Sequence, residues 1–467
     1  MKLSTYKNEN AFLSLFVLGV VLFFISCNKQ DEWLDVKKNN SDVVPTDLQD
    51  FRALLSYDFI MNYGYPFLGI ESSDNLYITE ATWNSTAPLE RNIYVWARDI
   101  YAGQADPNWN ALYQKVAYAN AVIDGLKKVA ITPSNEIEYN NIKGSALFFR
   151  AYAFYTLSSF WAKPYDANTA NTDLGIPLKL TSDVAEKVHR NSNEEVYNRI
   201  IDDVKEAVSL LPTTQHHKTW PSKPGALGFL ARVYLSMRKY DEAGEHADAA
   251  LGIYNFLYDF NTINSSVQYP FPDFWTDNKE VLFYAEDYFA RFNVAPRLVV
   301  DSNLLKSYNS NDLRRVLFFF TSSGNITFQG TYAGGNISPF EGIGTNELYL
   351  IRAEAFARMG NKDAAIADLN TLMLKRWKNN GTWLPFTATD ANDALNKILT
   401  ERRKELPFTG QLRWTDLRRL NREPQFAVTL TRVIGGQTYT LPPNDPRYVF
   451  PIPDDEIRLL GIEQNPR

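Results

Sequence analysis

Two stretches of this sequence carry the same spacing of small residues, and that spacing decides the fold class. Ala231 and Tyr234 are followed by Ala243, Ala247, Ala250 and Leu251; Ala353 and Phe356 are followed by Gly360, Ala365, Leu369 and Leu372. Small residues at helical intervals let two helices approach closely. Gly360 aligns with Arg238, where each pair must turn. Upstream, Ser192-Asn193-Glu194-Glu195 reads as a capping box, followed by one apolar face of Ile200, Ile201, Val204, Ala207, Val208 and Leu211, and Pro212 stops the helix. Residues 139–161 form another helix whose stripe of Phe148, Phe149, Tyr152, Phe154, Tyr155, Phe160 and Trp161 belongs to a core. Trp109–Val129 pairs with it as a further, degenerate hairpin. The chain is mostly α.

Both hairpins match the tetratricopeptide pattern, but Ala365 stands 122 positions after Ala243, whereas tandem units repeat every 34 or so. A large insertion therefore separates them. Residues 252–345 are rich in Gly, Pro, Asn, Ser and aromatics, including Tyr269-Pro270-Phe271-Pro272-Asp273-Phe274-Trp275. Six glycines fall within 323–344. Such a segment holds no long helix and predicts exposed loops on a helical platform. A second irregular region spans 60–108. The expected layout is an N-terminal helical part over 27–251, the insertion over 252–345 and a C-terminal helical part over 346–467, all in one unit.

The first 26 residues read as an address. Lys2 and Lys7 precede Ala11–Ile25, a charge-free and mostly apolar run too short to span a bilayer. It ends at Phe24-Ile25-Ser26-Cys27, which resembles a bacterial lipobox, with Phe where Leu is commoner. Cys27 is the only cysteine, so no intrachain disulfide is possible, and lipidation gives that thiol a purpose. The acidic stretch behind it resembles a surface-export signal. A net charge of −6 argues against nucleic-acid binding. Aromatics make up 14% of the chain, more than helix packing requires.

Ordered motifs along the chain resemble the SusD/RagB family of outer-membrane nutrient-binding lipoproteins. They are Trp109-Asn110-Ala111-Leu112-Tyr113, Arg150-Ala151-Tyr152, Gly175-Ile176-Pro177-Leu178 and Val196-Tyr197 through Leu211-Pro212. The most specific is Glu401-Arg402-Arg403-Lys404-Glu405-Leu406 with Gly410, Arg413-Trp414, Asp416-Leu417 and Arg418. The tail adds Phe450-Pro451-Ile452-Pro453, Glu456-Ile457 and Gln464-Asn465-Pro466, with Leu459-Leu460 where Asn-Pro is commoner. The resemblance implies a SusD-like helical fold and a ligand-binding lid on the extracellular face of a SusC-type TonB-dependent transporter barrel. It also implies capture of an oligosaccharide or, in the RagB branch, a peptide, without catalysis and without a cofactor.

Sugar rings offer apolar C–H faces and hydroxyl-lined edges, so aromatic faces beside polar side chains suit them. The loop residues fitting that description are Trp83, Trp96, Trp275, Tyr284 and Tyr288, with Asp74, Asn75 and Arg98 as polar partners. Glu401 and Glu405 lie i, i+4 on one helix among arginines. That spacing places no two carboxyls across a scissile bond, so structural ion pairs are expected there rather than a glycoside hydrolase site. His216 and His217 are adjacent and diverge, so no metal is expected from histidines. A peptide-binding lipoprotein is the main rival reading. Behind it stand an exported hydrolase and a protein-docking scaffold that would leave the aromatic loops without a role.

Overall fold

The computed structural model describes residues 45–273, 278–287, 297–334 and 338–467. Ten helices of eight residues or more carry the fold among them: α1 Leu48–Leu55, α2 Pro107–Leu126, α3 Glu136–Trp161, α4 Asn193–Leu210, α5 Lys223–Ser236, α6 Tyr240–Ile253, α7 Thr345–Arg358, α8 Lys362–Leu374, α9 Ala391–Glu405 and α10 Leu412–Leu420. Among the described residues the strands form only two-stranded antiparallel ladders. No helix among the described residues is long and apolar enough to cross a membrane.

Local chemistry sets the helix ends. Ser192 Oγ accepts from the Glu195 amide at 3.2 Å while Glu195 Oε2 accepts from the Ser192 amide at 2.8 Å. This is the reciprocal cap expected of that tetrad, and α4 runs from it to Leu210. The α5–α6 and α7–α8 turns sit at Arg238 (φ 61°) and Gly360 (φ 83°), both left-handed, as their alignment requires. The aromatic stripe of α3 is wholly buried. Phe148, Tyr152, Phe229 and Phe283 meet there within 6 Å, Phe148 stacked on Tyr152 and the other pairs edge-on or tilted.

The helices pack in sequence order, α2 on α3, α3 on α4, α4 on α5 and α5 on α6; α6 then packs on α7, across the insertion. Gly244 of α6 faces Ala355 of α7 so closely that a Cβ there would sit 2.8 Å from the Ala355 methyl. The two separated repeats are thus neighbours in space, and the insertion leaves and rejoins the stack between them.

The insertion is not the set of exposed loops expected from its composition. Its rings build a second core of Phe260, Phe271, Tyr284, Phe318, Phe319, Tyr332 and Phe340, which Ile70, Leu76, Tyr94 and Val95 of the first irregular region enter. A segment with little regular structure must bury bulky side chains to offset its conformational entropy, and aromatics supply the most area per residue. Gly342 shows how tightly this layer closes: a Cβ would meet the Phe283 carbonyl at 2.1 Å. This layer positions the candidate site.

Candidate ligand-binding site

The segment 73–98 forms one wall. Leu76-Tyr77 pairs antiparallel with Val299-Val300. The helix Glu80–Ser85 starts on a Thr79 cap, and Pro88–Tyr94 starts on Pro88. The facing wall is the hairpin Leu430–Ile434/Gln437–Leu441, turned by Gly435 (φ 57°) and Gly436 (φ 75°). Two positive φ angles in a two-residue loop give the twist that flanking strands need.

Arg432 joins the walls. Its guanidinium lies 3.7 Å from the Tyr94 ring centroid and 4.4 Å from that of Trp96, and it donates to the carbonyls of Glu71 (2.7 Å), Ser73 (2.6 Å) and Tyr94. Burial draws the Arg432 pKa down to about 10. Trp96, at φ 55°, donates Nε1 to the Ser72 carbonyl at 3.0 Å.

Two concavities open on either side of Trp96. One, of about 170 Å³, lies between Asp74, Tyr77, Tyr94 and Trp96 on one side and Thr431, Arg432 and Val433 on the other. Tyr77, 46% exposed, and Val433 stand at its mouth. The other, of about 600 Å³, is bounded by Trp96-Ala97-Arg98, Tyr439, Asp445-Pro446-Arg447 and Pro466-Arg467. Together they offer one exposed ring, several cations and hydrogen-bonding groups, the mixture a polyhydroxylated ligand needs.

The expected site residues fare differently. Asp74 and Arg98 are at the concavities. Asp74 is clamped by Arg413 at 2.7 and 2.8 Å and by Arg403 at 3.2 Å. Burial opposes its charge, but those two guanidinium groups hold its carboxyl well below the usual range. Asn75 is buried behind it, accepting from Arg403 Nε at 3.2 Å. Trp83 is half-buried under Arg91, 5.3 Å from its ring centroid.

Two rings expected on the exposed loops are inside. Trp96 is 2% exposed and Tyr284 is 0% exposed. Trp96 is covered by Arg432, while Tyr284 packs among Tyr63 and Phe340 in the second core and donates to Glu286. Neither presents a ring face to solvent. Trp275, Tyr288 and Cys27 lie outside the described residues. Tyr77, Arg432, Tyr439 and Arg447 were not among the expected residues; Gly435-Gly436 between alternating strands is the signal that points to the hairpin holding two of them, Arg432 and Tyr439.

The charged signature at 401–418 is a buried ion network. Glu401 and Glu405 both bind Arg314. Arg376 bridges Glu405 at 2.9 Å and Glu280 at 3.1 Å, and Asp416 accepts from Arg402 and Arg419 at 2.8 Å each.

Comparison with known proteins bears on this framework. A model described as starch-binding and associating with the outer membrane matches residues 32–235, and the SusD family model matches 343–467. The two together cover well over half of the sequence. The chain belongs to the SusD family. SusD-like protein P2 of Formosa agariphila is 30% identical over 146 residues, which span 31% of this chain and 26% of that relative's length. Two solved structures share the fold. One, named for sugar binding, comes from Bacteroides vulgatus ATCC 8482, with TM-score 0.73, 20% identity and coverage of 91% of this chain and 99% of that one. The other is a SusD superfamily protein of Bacteroides thetaiotaomicron VPI-5482, with TM-score 0.72, 21% identity and coverage of 90% and 100%. The SusD-family matches leave out most of the insertion, the region whose core supports the candidate site.

Proposed function

We propose that this chain binds an oligosaccharide nutrient without altering it. On this reading it is lipid-anchored through Cys27 on the outer face of the outer membrane and hands its ligand to a SusC-type TonB-dependent barrel. The observation that carries the binding step is the pair of concavities flanking Trp96, with Tyr77 exposed at one mouth and Arg98, Tyr439 and Arg447 lining the other. Family membership and the sugar-binding name of a structural neighbour support the ligand class. The non-catalytic reading draws on Glu401 and Glu405, both held by Arg314 inside the protein. Trp83 and, outside the described residues, Trp275 and Tyr288 remain proposed contacts.

Calorimetric titration of the purified chain with a panel of oligosaccharides and short peptides tests this. Binding of at least one glycan, with no reducing ends released on incubation, is the expected result. Binding to peptides alone would move the protein to the RagB-like reading, and chain cleavage would make it a hydrolase.

A further inference from the structure

The two concavities flanking Trp96 differ in charge. Arg98, Arg447 and Arg467 line the larger one, and Asp445 is the one acidic side chain lining it among the described residues. The smaller has the reverse balance, Asp74 and Asp301 against the buried Arg432. A ligand spread across Trp96 therefore meets opposite signs on its two sides.

The three arginines of the larger concavity are held differently. Arg447 gives Nε and Nη2 to the two Asp445 oxygens at 2.9 and 2.8 Å, and Nη2 also reaches the Thr440 carbonyl at 2.8 Å. That pair compensates itself and fixes one wall. Arg467 is half-buried, its guanidinium 5.4 Å from the Phe450 ring centroid, and it forms no ion pair among the described residues. Burial draws its pKa down to about 10, so it stays charged at neutral pH. The tail that carries it is pinned, because Asn465 Nδ2 donates to the Trp161 and Phe450 carbonyls at 2.7 and 2.8 Å. Arg98 is exposed, and its guanidinium has neither an ion pair nor a hydrogen bond among the described residues. Asp99, next to it in sequence, accepts instead from the amides of Tyr101 and Ala102 at 3.0 Å each.

With Arg447 matched by Asp445, Arg98 and Arg467 keep their charges without an ion-pair partner on the open side of the concavity. Cations gathered in a cleft attract anions more strongly than the same cations on a flat surface, because the walls focus their field. A guanidinium also offers a planar fork that fits a carboxylate or a sulfate. Tyr439 adds a half-buried ring whose hydroxyl makes no hydrogen bond among the described residues. The volume of about 600 Å³ suits one or two sugar rings.

We propose that the glycan bound across Trp96 is acidic, and that a carboxylate or sulfate ester on one of its rings sits in the larger concavity against Arg98, in the field of Arg467. The inference rests on the glycan reading above and adds a charge requirement to it. Calorimetric titration of the whole chain with oligomers of uronic acids and of sulfated hexoses tests it, each beside its methyl-esterified or desulfated form of equal length. A short acidic peptide is the control. At least one anionic oligomer should bind about fivefold or more tighter than its uncharged form in dilute buffer, and about 1 M salt should erase most of that difference. Arg98→Gln, at an exposed position, should keep the circular dichroism spectrum and lower affinity for the anionic oligomer about threefold, and Arg98→Glu should lower it further. Uncharged forms binding as tightly as the anionic ones would overturn this assignment alone. So would a preference that survives high salt, or one retained in full by both folded variants. Preference for the peptide, or binding to no glycan at all, would overturn the glycan reading with it.

Discussion

Arg314 is fully buried and faces three carboxylates, Asp312 at 2.7 Å, Glu405 at 3.2 Å and Glu401. Lys404 and Arg376 supply the remaining positive charge, at 2.8 Å from Glu401 and 2.9 Å from Glu405. A network of this kind adds modest net stability, but removing one member strands charges where water cannot reach them. Arg314→Ala should therefore cost about 3–5 kcal/mol, read as a lower urea midpoint. Arg314→Lys should recover only part of that, since an ammonium cannot fork to two carboxylates. Tyr77 is the opposite case. It is half-exposed at the mouth of the smaller concavity, so little packing depends on it. Tyr77→Ala should lower glycan affinity about threefold to tenfold, the range expected for one aromatic contact, and leave the thermal midpoint within a degree or two. A large fall in midpoint with unchanged affinity would reassign Tyr77 to the fold.

The α6–α7 contact is where two distant sequence segments become one stack. Gly244→Val places branched carbon where the Ala355 methyl already sits, 2.8 Å from the new Cβ. Overpacking at such a crossing costs about 1–3 kcal/mol, and the variant's denaturation midpoint should fall accordingly. Ala355→Gly in the same chain should restore part of the loss, because it removes the opposing methyl; no rescue would mean the strain lies elsewhere. This contact also marks what the sequence can and cannot tell. The small-residue spacing, the Ser192 cap and the Arg238 and Gly360 turns are local, so a reader of the sequence finds them. The fate of the aromatics is not local. Trp96 is covered by Arg432, whose bond to the Tyr94 carbonyl joins residues 338 positions apart. Tyr284 is sealed by Tyr63 from the first irregular region and Phe340 from the far end of the insertion. Composition says these segments lack long helices; it does not say that two irregular segments pack against each other and bury their rings. Asp74 and Arg98 were legible as candidates because both are polar and lie in a short, distinctive segment, and both line the concavities. The hairpin opposite them is signalled by Gly435-Gly436, which a helical reading of that end of the chain passes over.

Across the whole molecule, buried carboxyl groups fall into two sets with opposite pH dependence. Asp74, Asp312, Glu354 and Asp416 are buried, which alone would raise them, but neighbouring arginines hold all four below their ordinary values. A depressed folded-state pKa gives stability that is present above the unfolded value near 4 and is lost as pH falls through the folded one. Asp287 and Glu341 behave in the reverse sense. Both are buried and close enough to share a proton: burial raises both, the Glu341 charge raises Asp287 further, and Glu341 settles at about 7 because Arg232 and the hydrogen bond from Asp287 offset part of its burial. Glu341 Oε2 accepts from the Gln411 amide at 3.0 Å, which offsets only part of this. A raised folded-state pKa gives stability that is complete below about pH 4 and is lost as pH rises toward neutrality. The two sets together predict a stability maximum in mildly acidic solution, at about pH 5–6. Thermal midpoints measured from pH 3 to pH 8 should rise and then fall. Asp287→Asn keeps a donor for Glu341 and removes one of the two charges, so it should flatten the fall between pH 6 and 8 and leave the rise below pH 5 intact. A profile that climbs steadily to pH 8 in the wild-type chain would mean that the Asp287–Glu341 proton is not held, and that water or a cation reaches that pair.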